Sequence, residues 1–267
     1  MKPALLILLL SVCPLLAVAD VDAITTSAWL GATALDFDYE EFDDDGNSFN
    51  REEGWLPGVN AGISVEGERW FVEPSLFLSS GRVDYRASED NSETDEDILN
   101  LEILAGTPVF DADRQRLSLV AGAGHRKWQR DIHSTLEKSG LDETYRWFYW
   151  LVGLRGEHGF SERTRIVADA QLTRTVNPEI DVHFKENFAD DVDLDLGEET
   201  AFKVSVAVHR QMGSRTSLWL MPWYERWDLG RSRDKDLYRN GDRIGTVNEP
   251  RSETHNYGIT LGVRWEL

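Results

Sequence analysis

Apolar side chains recur at every second position in ten stretches of this chain, and that period decides most of what it can fold into. Successive residues of a strand point to opposite faces, so a two-residue period yields one apolar and one polar face, whereas an amphipathic helix needs a period near 3.6. Trp29, Thr33, Leu35, Phe37 and Tyr39 share a parity against Ala32, Ala34, Asp36 and Asp38. Trp55, Val59, Ala61, Ile63 and Val65 oppose Asn60, Ser64 and Glu66, and Trp70, Val72, Leu76 and Leu78 oppose Glu73, Ser75 and Ser79. Leu99, Leu101, Ile103, Ala105 and Val109 oppose Asn100 and Glu102. In the second half, Ile166, Ala168, Ala170 and Leu172 alternate with Arg165, Asp169, Gln171 and Thr173, and Phe202, Val204, Val206 and Val208 alternate with Lys203, Ser205 and His209. Tyr257, Ile259, Leu261, Val263, Trp265 and Leu267 form one last stripe. Residues 116–128, 145–157 and 216–228 complete the set, and in the last of these the parity of Trp219, Trp223 and Trp227 leaves the outward face undecided.

The connections alternate as regularly as the residues. Short links near Glu66–Arg69, Asp111–Arg114, His158–Arg163 and Met212–Arg215 are interleaved with long polar ones at about 42–54, 84–97, 129–144, 176–200 and 229–254. Bacterial membrane barrels pair short periplasmic turns with longer external loops, so ten strands with both ends in the periplasm match this order. A hairpin within 176–200 would raise the count to twelve, and weak segments would lower it to eight. No run of 18 apolar residues occurs, which leaves a closed barrel as the means of crossing a bilayer. Residues 1–19 carry Lys2, an apolar run from Ala4 to Leu10 and the ending Ala17-Val18-Ala19, the pattern of a signal peptide cleaved after Ala19. Residues 20–267 are then one barrel domain, and removal of the leader takes away Cys13, the single cysteine, so disulfides and cysteine-ligated metals drop out. A formal charge of −20 argues against nucleic acid as a partner.

From Trp29 onward the chain resembles the outer-membrane β-barrels of Gram-negative bacteria. The stretch Tyr257-Gly258-Ile259-Thr260-Leu261-Gly262-Val263-Arg264-Trp265-Glu266-Leu267 is similar to the final strand by which the barrel assembly machinery recognises them, with Leu267 where the family commonly has Phe. The resemblance implies an all-β fold, a single up-and-down antiparallel transmembrane β-barrel of about ten strands in the cell envelope, with outer-membrane lipid and the assembly machinery as partners.

Polar residues supply three candidate constellations. Glu73, Glu102, Arg155, Glu157, Arg165, Asp169, Lys203, Arg264 and Glu266 lie on the parity expected to face inward, where both signs of charge form a salt-bridged, hydrated plug. The external loops are acidic at Glu40-Glu41, Asp43-Asp44-Asp45, Glu89-Asp90, Glu93 to Asp97 and Asp190 to Asp195, a solvated face able to attract divalent cations or basic peptides. Asp43-Asp44-Asp45-Gly46-Asn47 loosely resembles a calcium loop without its ligand spacing, so the metal question stays open. Finally, Asp95-Glu96-Asp97 in loop two and Asp181-Val182-His183 in loop four are similar to the site of the omptins, ten-stranded outer-membrane proteases. That resemblance implies water positioned by Asp95 and Asp97, with its proton accepted by His183 oriented by Asp181. Asp131-Ile132-His133 repeats the same spacing elsewhere, and no cofactor-binding motif is present. A non-enzymatic structural, adhesive or small-solute barrel is the leading expectation, and an omptin-like endoprotease is the alternative.

Overall fold

The computed structural model describes residues 24–87, 91–135 and 139–267; the expected signal peptide lies outside them. Thirteen strands follow in order: β1 (Thr25–Phe42), β2 (Ser48–Glu66), β3 (Phe71–Ala87), β4 (Asn91–Ala112), β5 (Gln115–Ile132), β6 (Leu141–Ser161), β7 (Thr164–Phe184), β8 (Val192–Asp195), β9 (Thr200–Gln211), β10 (Thr216–Leu229), β11 (Lys235–Arg239), β12 (Asp242–Val247) and β13 (Arg251–Glu266). Ten of them close an antiparallel barrel. β1 to β7 pair in sequence, β7 pairs β9, β9 pairs β10, β10 pairs β13, and β13 returns to β1. β8 adds a short strand along β7, and β11–β12 form a separate hairpin on the long-loop side. The residues 176–200 therefore extend the wall without raising the barrel count to twelve.

The outer face carries the lipid belt. Leu30, Val59, Leu101, Ile103, Leu119, Val152, Leu172, Val206, Leu220, Ile259 and Leu261 all stand exposed on it. Trp55, Asp36, Tyr257 and Tyr224 fall in one register row across β2, β1, β13 and β10. Beyond that row outward positions turn charged, with Asp38 paired to Arg51 at 2.7 Å and Arg226 to Glu253 at 2.9 Å. Aromatic side chains suit such a boundary because they are apolar in body and polar at the tip. From Tyr257 to Trp265 the belt covers nine residues of β13, within the roughly 9–11 that a tilted transmembrane strand uses.

Three features depart from expectation. On β1 the parity of Thr33, Leu35, Phe37 and Tyr39 turns inward and is buried, while Leu30, Ala32 and Ala34 face lipid, because large apolar side chains also pack the lumen there. The segments 42–54, 84–97, 129–144 and 176–200 are mostly strand: β1 runs on to Phe42, β4 begins at Asn91, β6 begins at Leu141 and β7 reaches Phe184. The wall thus rises past the bilayer as a collar. Alternation continues there, but its outward members are charged, held across strands by Arg82–Asp95 at 2.8 Å and Arg86–Glu53 at 2.6 Å, so a reading keyed to apolar residues ends each strand too early. The tryptophan question also resolves: Trp219 and Trp227 are buried in the lumen, Trp223 faces it, and Leu218, Leu220 and Tyr224 take the outer side of β10.

Inward rings lie flat across glycines of the next strand. A Cβ on Gly258 would stand 2.1 Å from the Trp223 indole, and one on Gly62 would stand 2.1 Å from Trp29. Gly258→Ala is therefore expected to destabilise the barrel by roughly 1–3 kcal/mol, the usual cost of overpacking, read from urea unfolding in detergent micelles. An unchanged midpoint would show that the Trp223 ring moves aside freely.

Candidate functional site

The lumen divides into two unlike halves. On the periplasmic side a cavity of about 170 Å³ opens toward a vestibule of about 350 Å³ ringed by the short turns. Arg155 reaches from β6 to Glu73 on β3 and Asp169 on β7, each at 2.8 Å. Arg165 bonds Glu157 at 3.0 Å, and Arg264 bonds Glu66 at 2.8 Å. All nine residues expected to face inward do so: eight line the cavity and Glu266 lines the vestibule. Mixed charge at membrane depth is tolerable because each guanidinium here meets a carboxylate.

The external half is filled. Arg130 projects inward from β5, and its Nη1 donates to Glu143 at 2.7 Å, Tyr145 at 3.0 Å, Tyr39 at 3.3 Å and Glu41 at 3.4 Å, while Nη2 donates to Glu52 at 2.8 Å. The guanidinium also lies 4.4 Å from the Tyr39 ring centre. Trp128 stacks on Tyr145 at 4.6 Å and meets Tyr39 and Phe37 edge-on. Glu249, in the link before β13, is buried and accepts the Tyr145 hydroxyl at 2.6 Å. Below this layer Arg126 is held by Glu225 at 3.0 Å and covers Trp227 at 3.9 Å. Arg130, Trp128, Tyr39, Tyr145 and Glu52 are each no more than 1% exposed, so the layer forms a plug within the collar, above the lipid belt.

Charge in the plug does not balance by ion pairing alone. Glu41, Glu52, Glu96 and Glu143 surround one arginine, and Glu249 adjoins them through Tyr145. Isolated buried carboxylates are costly, so such groups take up protons instead. Burial pushes Glu143 up to about 7, against the opposing pull of Arg130, and burial likewise raises Glu96 and Glu249 well above the ordinary carboxylate range. The sequence places Glu41 and Glu96 on the solvated acidic face and Glu52, Glu143 and Glu249 in long polar links, whereas the barrel buries all five. Their parity was nevertheless available: Thr94, Glu96 and Ile98 continue the inward series of Asn100 and Glu102.

The four omptin-like residues occupy the opposite face of the wall. Asp95 points outward and accepts Arg82 Nε at 2.8 Å and pairs with His133 Nε2 at 2.9 Å, which together hold its carboxyl down to about 2. Asp97 is exposed on the same face. Asp181 is ion-paired with Arg146, and His183 Nδ1 pairs with Asp191 at 2.6 Å. In register, Asp95, Asp131, Asp142 and His183 form one row across β4 to β7, and Asp97, Gln129, Thr144 and Asp181 form the next. Three strand spacings of about 4.8 Å separate each acid from its expected partner by ~14 Å along a convex surface. The structure brings Asp95 to His133 and does not bring Asp95 and Asp97 to Asp181 and His183 across a cleft. Strand parity is the cause: residues two apart share a face, and on both strands that face is the outer one.

Asp95, Asp131 and His133 do offer ligand atoms within 4.8 Å of one another, with Arg82 and Lys185 as their present counter-charges. In the 43–47 turn, Asp43 spends Oδ1 on the backbone N–H groups of Asp45 and Asn47, so this carboxylate serves its own turn.

No protein-family model and no curated protein matches the chain. Among solved structures, the barrel is similar to the outer membrane protease OmpT from Escherichia coli at 10% identity, with 91% of this chain and 96% of that chain covered and a TM-score of 0.63. It is more distantly similar to the outer membrane protein OprG from Pseudomonas aeruginosa, at 8% identity and a TM-score of 0.46 over 91% of this chain and 96% of that one. The closed ten-stranded wall with its lipid belt is that of a bacterial outer-membrane β-barrel, and the protein resides in the outer membrane.

Proposed function

We propose that this protein is a sealed, non-catalytic barrel that holds an acidic collar above the outer leaflet, where the outer wall attracts divalent cations or basic peptides. The observation that carries the proposal is the collar itself: a β-wall continued past the lipid belt, packed solid inside around Arg130 and lined outside with carboxylates. A packed lumen favours a platform over a conduit, and a net charge of −20 favours cationic partners. Endoproteolysis is the alternative, and the outward, separated placement of Asp95, Asp97, Asp181 and His183 speaks against it.

Reconstitution into planar bilayers tests the platform: little or no ion conductance is expected, and porin-like steps would contradict it. In vesicles, a polylysine peptide is expected to bind in a salt-sensitive manner and to bind several-fold more weakly after Asp97, Asp193 and Asp195 are changed to Asn. Cleavage of a basic peptide that disappears in His183→Ala, with heat-modifiable migration retained, would establish the protease instead.

A further inference from the structure

The plug contains two neighbouring buried carboxyl groups, each with one oxygen that has no hydrogen-bond donor. Glu52 Oε1 accepts Arg130 Nη2 at 2.8 Å and Thr94 Oγ1 at 2.9 Å, which leaves Oε2 free. Glu96 Oε2 accepts the Trp128 Nε1–H, which leaves Oε1 free. Both free oxygens are buried with no hydrogen-bond partner, and both side chains are fully enclosed. Both carboxyl groups sit against the Arg130 guanidinium, Glu52 Oε1 at 2.8 Å from Nη2 and Glu96 Oε1 at 3.8 Å from Nε, which brings them close enough to hydrogen-bond each other once one carries a proton. Two acceptors cannot bond without a hydrogen between them.

We propose that Glu96 is a neutral carboxylic acid whose Oε1 proton is donated to Glu52 Oε2, making the pair a buried proton-binding site that locks the external plug. The partners decide which residue carries the proton. Trp128 is a donor only, so the oxygen it reaches is the carbonyl of the acid, and the hydroxyl must be the one facing Glu52. Glu52 holds the direct bond to Arg130 and is the better placed to stay ionised, whereas Arg130 Nε stands 3.8 Å from Glu96 Oε1 without a hydrogen bond. The other titratable groups around the pair are Tyr39 and Glu41 from β1, Tyr85 from β3, Glu143 and Tyr145 from β6, and Glu249 from the link before β13. Three of these are further carboxyls, so the surroundings favour retention of the proton. Burial and the adjacent Glu52 likewise push Glu96 well above the usual carboxylate range.

The lock has a defined pH sense. The unfolded chain releases this proton near the ordinary glutamate pKa and the folded chain keeps it to higher pH, so the stabilisation is complete below that ordinary value and fades as pH climbs through the raised one. Loss of the proton leaves two carboxylates in contact, which loosens the plug from within.

Glu96→Gln imitates the neutral acid, because its amide can accept from Trp128 on one side and donate to Glu52 on the other. In the full-length barrel refolded in micelles at about pH 8, far above an ordinary glutamate pKa, the infrared difference between wild type and Glu96→Gln is expected to contain the carbonyl band of a protonated carboxylic acid. Unfolding is expected to release one proton fewer from the variant, and its stability is expected to fall less steeply with rising pH. Glu96→Ala, which supplies no donor, is expected to be less stable than Glu96→Gln at every pH. Absence of the acid band overturns the proposal, as does a variant with undiminished proton release. A stoichiometric divalent ion in wild type, whose chelation destabilises wild type and leaves Glu96→Gln unaffected, would show that a metal bridges the pair instead. If neither variant folds, an infrared titration of wild type decides alone, since a plug with no protonated carboxyl at about pH 8 cannot contain this lock.

Discussion

Removal of Tyr257–Leu267 is expected to abolish stable insertion altogether. β13 closes the barrel, pairing with β1 from Ser27↔Glu266 to Phe42↔Arg251 and with β10 from Thr216↔Trp265 to Leu229↔Ser252. Without the segment, β1 and β10 become open edges at bilayer depth, where each unsatisfied backbone group costs several kcal/mol. The same cut removes the lipid-facing stripe of Tyr257, Ile259, Leu261 and Trp265, which are 54%, 55%, 59% and 40% exposed on the outer wall. No heat-modifiable, protease-protected species should then appear in outer-membrane fractions. Deleting the β11–β12 hairpin, which forms a separate two-stranded sheet and bonds residues 188–193 but, among the described residues, no strand that closes the barrel, should leave substantial inserted protein. Comparable insertion by both deletions would mean that closure through β13 does not control assembly.

Arg130→Leu should produce the largest loss from a single side chain. The guanidinium is fully buried and bonds Glu52 and Glu143 directly, so its removal leaves buried carboxylates that can be neutralised only by taking up protons, at a cost that grows with pH. Breaking one partner out of such a buried set typically costs about 3–5 kcal/mol. The loss should depend on pH in a definite direction. Burial raises Glu143 to about 7 in the folded protein even though Arg130 lowers it, and an unfolded glutamate ionises near ~4.3. Between these values the folded state holds more protons than the unfolded state, so wild-type stability is greatest below the lower value and declines as pH rises through the upper one. Without Arg130, the carboxyls rise further and the decline becomes steeper. Urea unfolding in micelles at about pH 5, 7 and 9 should therefore show the variant closest to wild type in acid. A uniform loss below about 1 kcal/mol at all three would mean that Arg130 is not the keystone of the plug.

The sequence alone determined the architecture. A period of two, four short turns and five polar links admit few solutions besides ten antiparallel strands, and on most strands the apolar parity is the lipid face; on β1 and β10 aromatic and aliphatic side chains also fill the lumen, so there the outward face is decided only by closure. It also determined the charged periplasmic lumen, since Glu73, Arg155, Asp169 and Arg264 sit opposite unmistakably apolar neighbours. Beyond the belt that contrast disappears. At Glu93 to Asp97 both faces are polar, so composition does not show that the strand runs on; once it does, parity carried from Asn100 and Glu102 turns Glu96 inward and Asp95 outward. What only closure of the barrel decides is the company Glu96 keeps, because it gathers Glu41, Glu52, Glu96, Arg130, Glu143 and Glu249 from distant parts of the chain into one dry space. The omptin-like pairs fail to converge for the same reason: their spacing is a local property, whereas facing across a cleft depends on which side of the wall each strand presents. Alternation is fixed by the covalent geometry of a strand. The identity of the partners is fixed by the register and closure of ten strands at once.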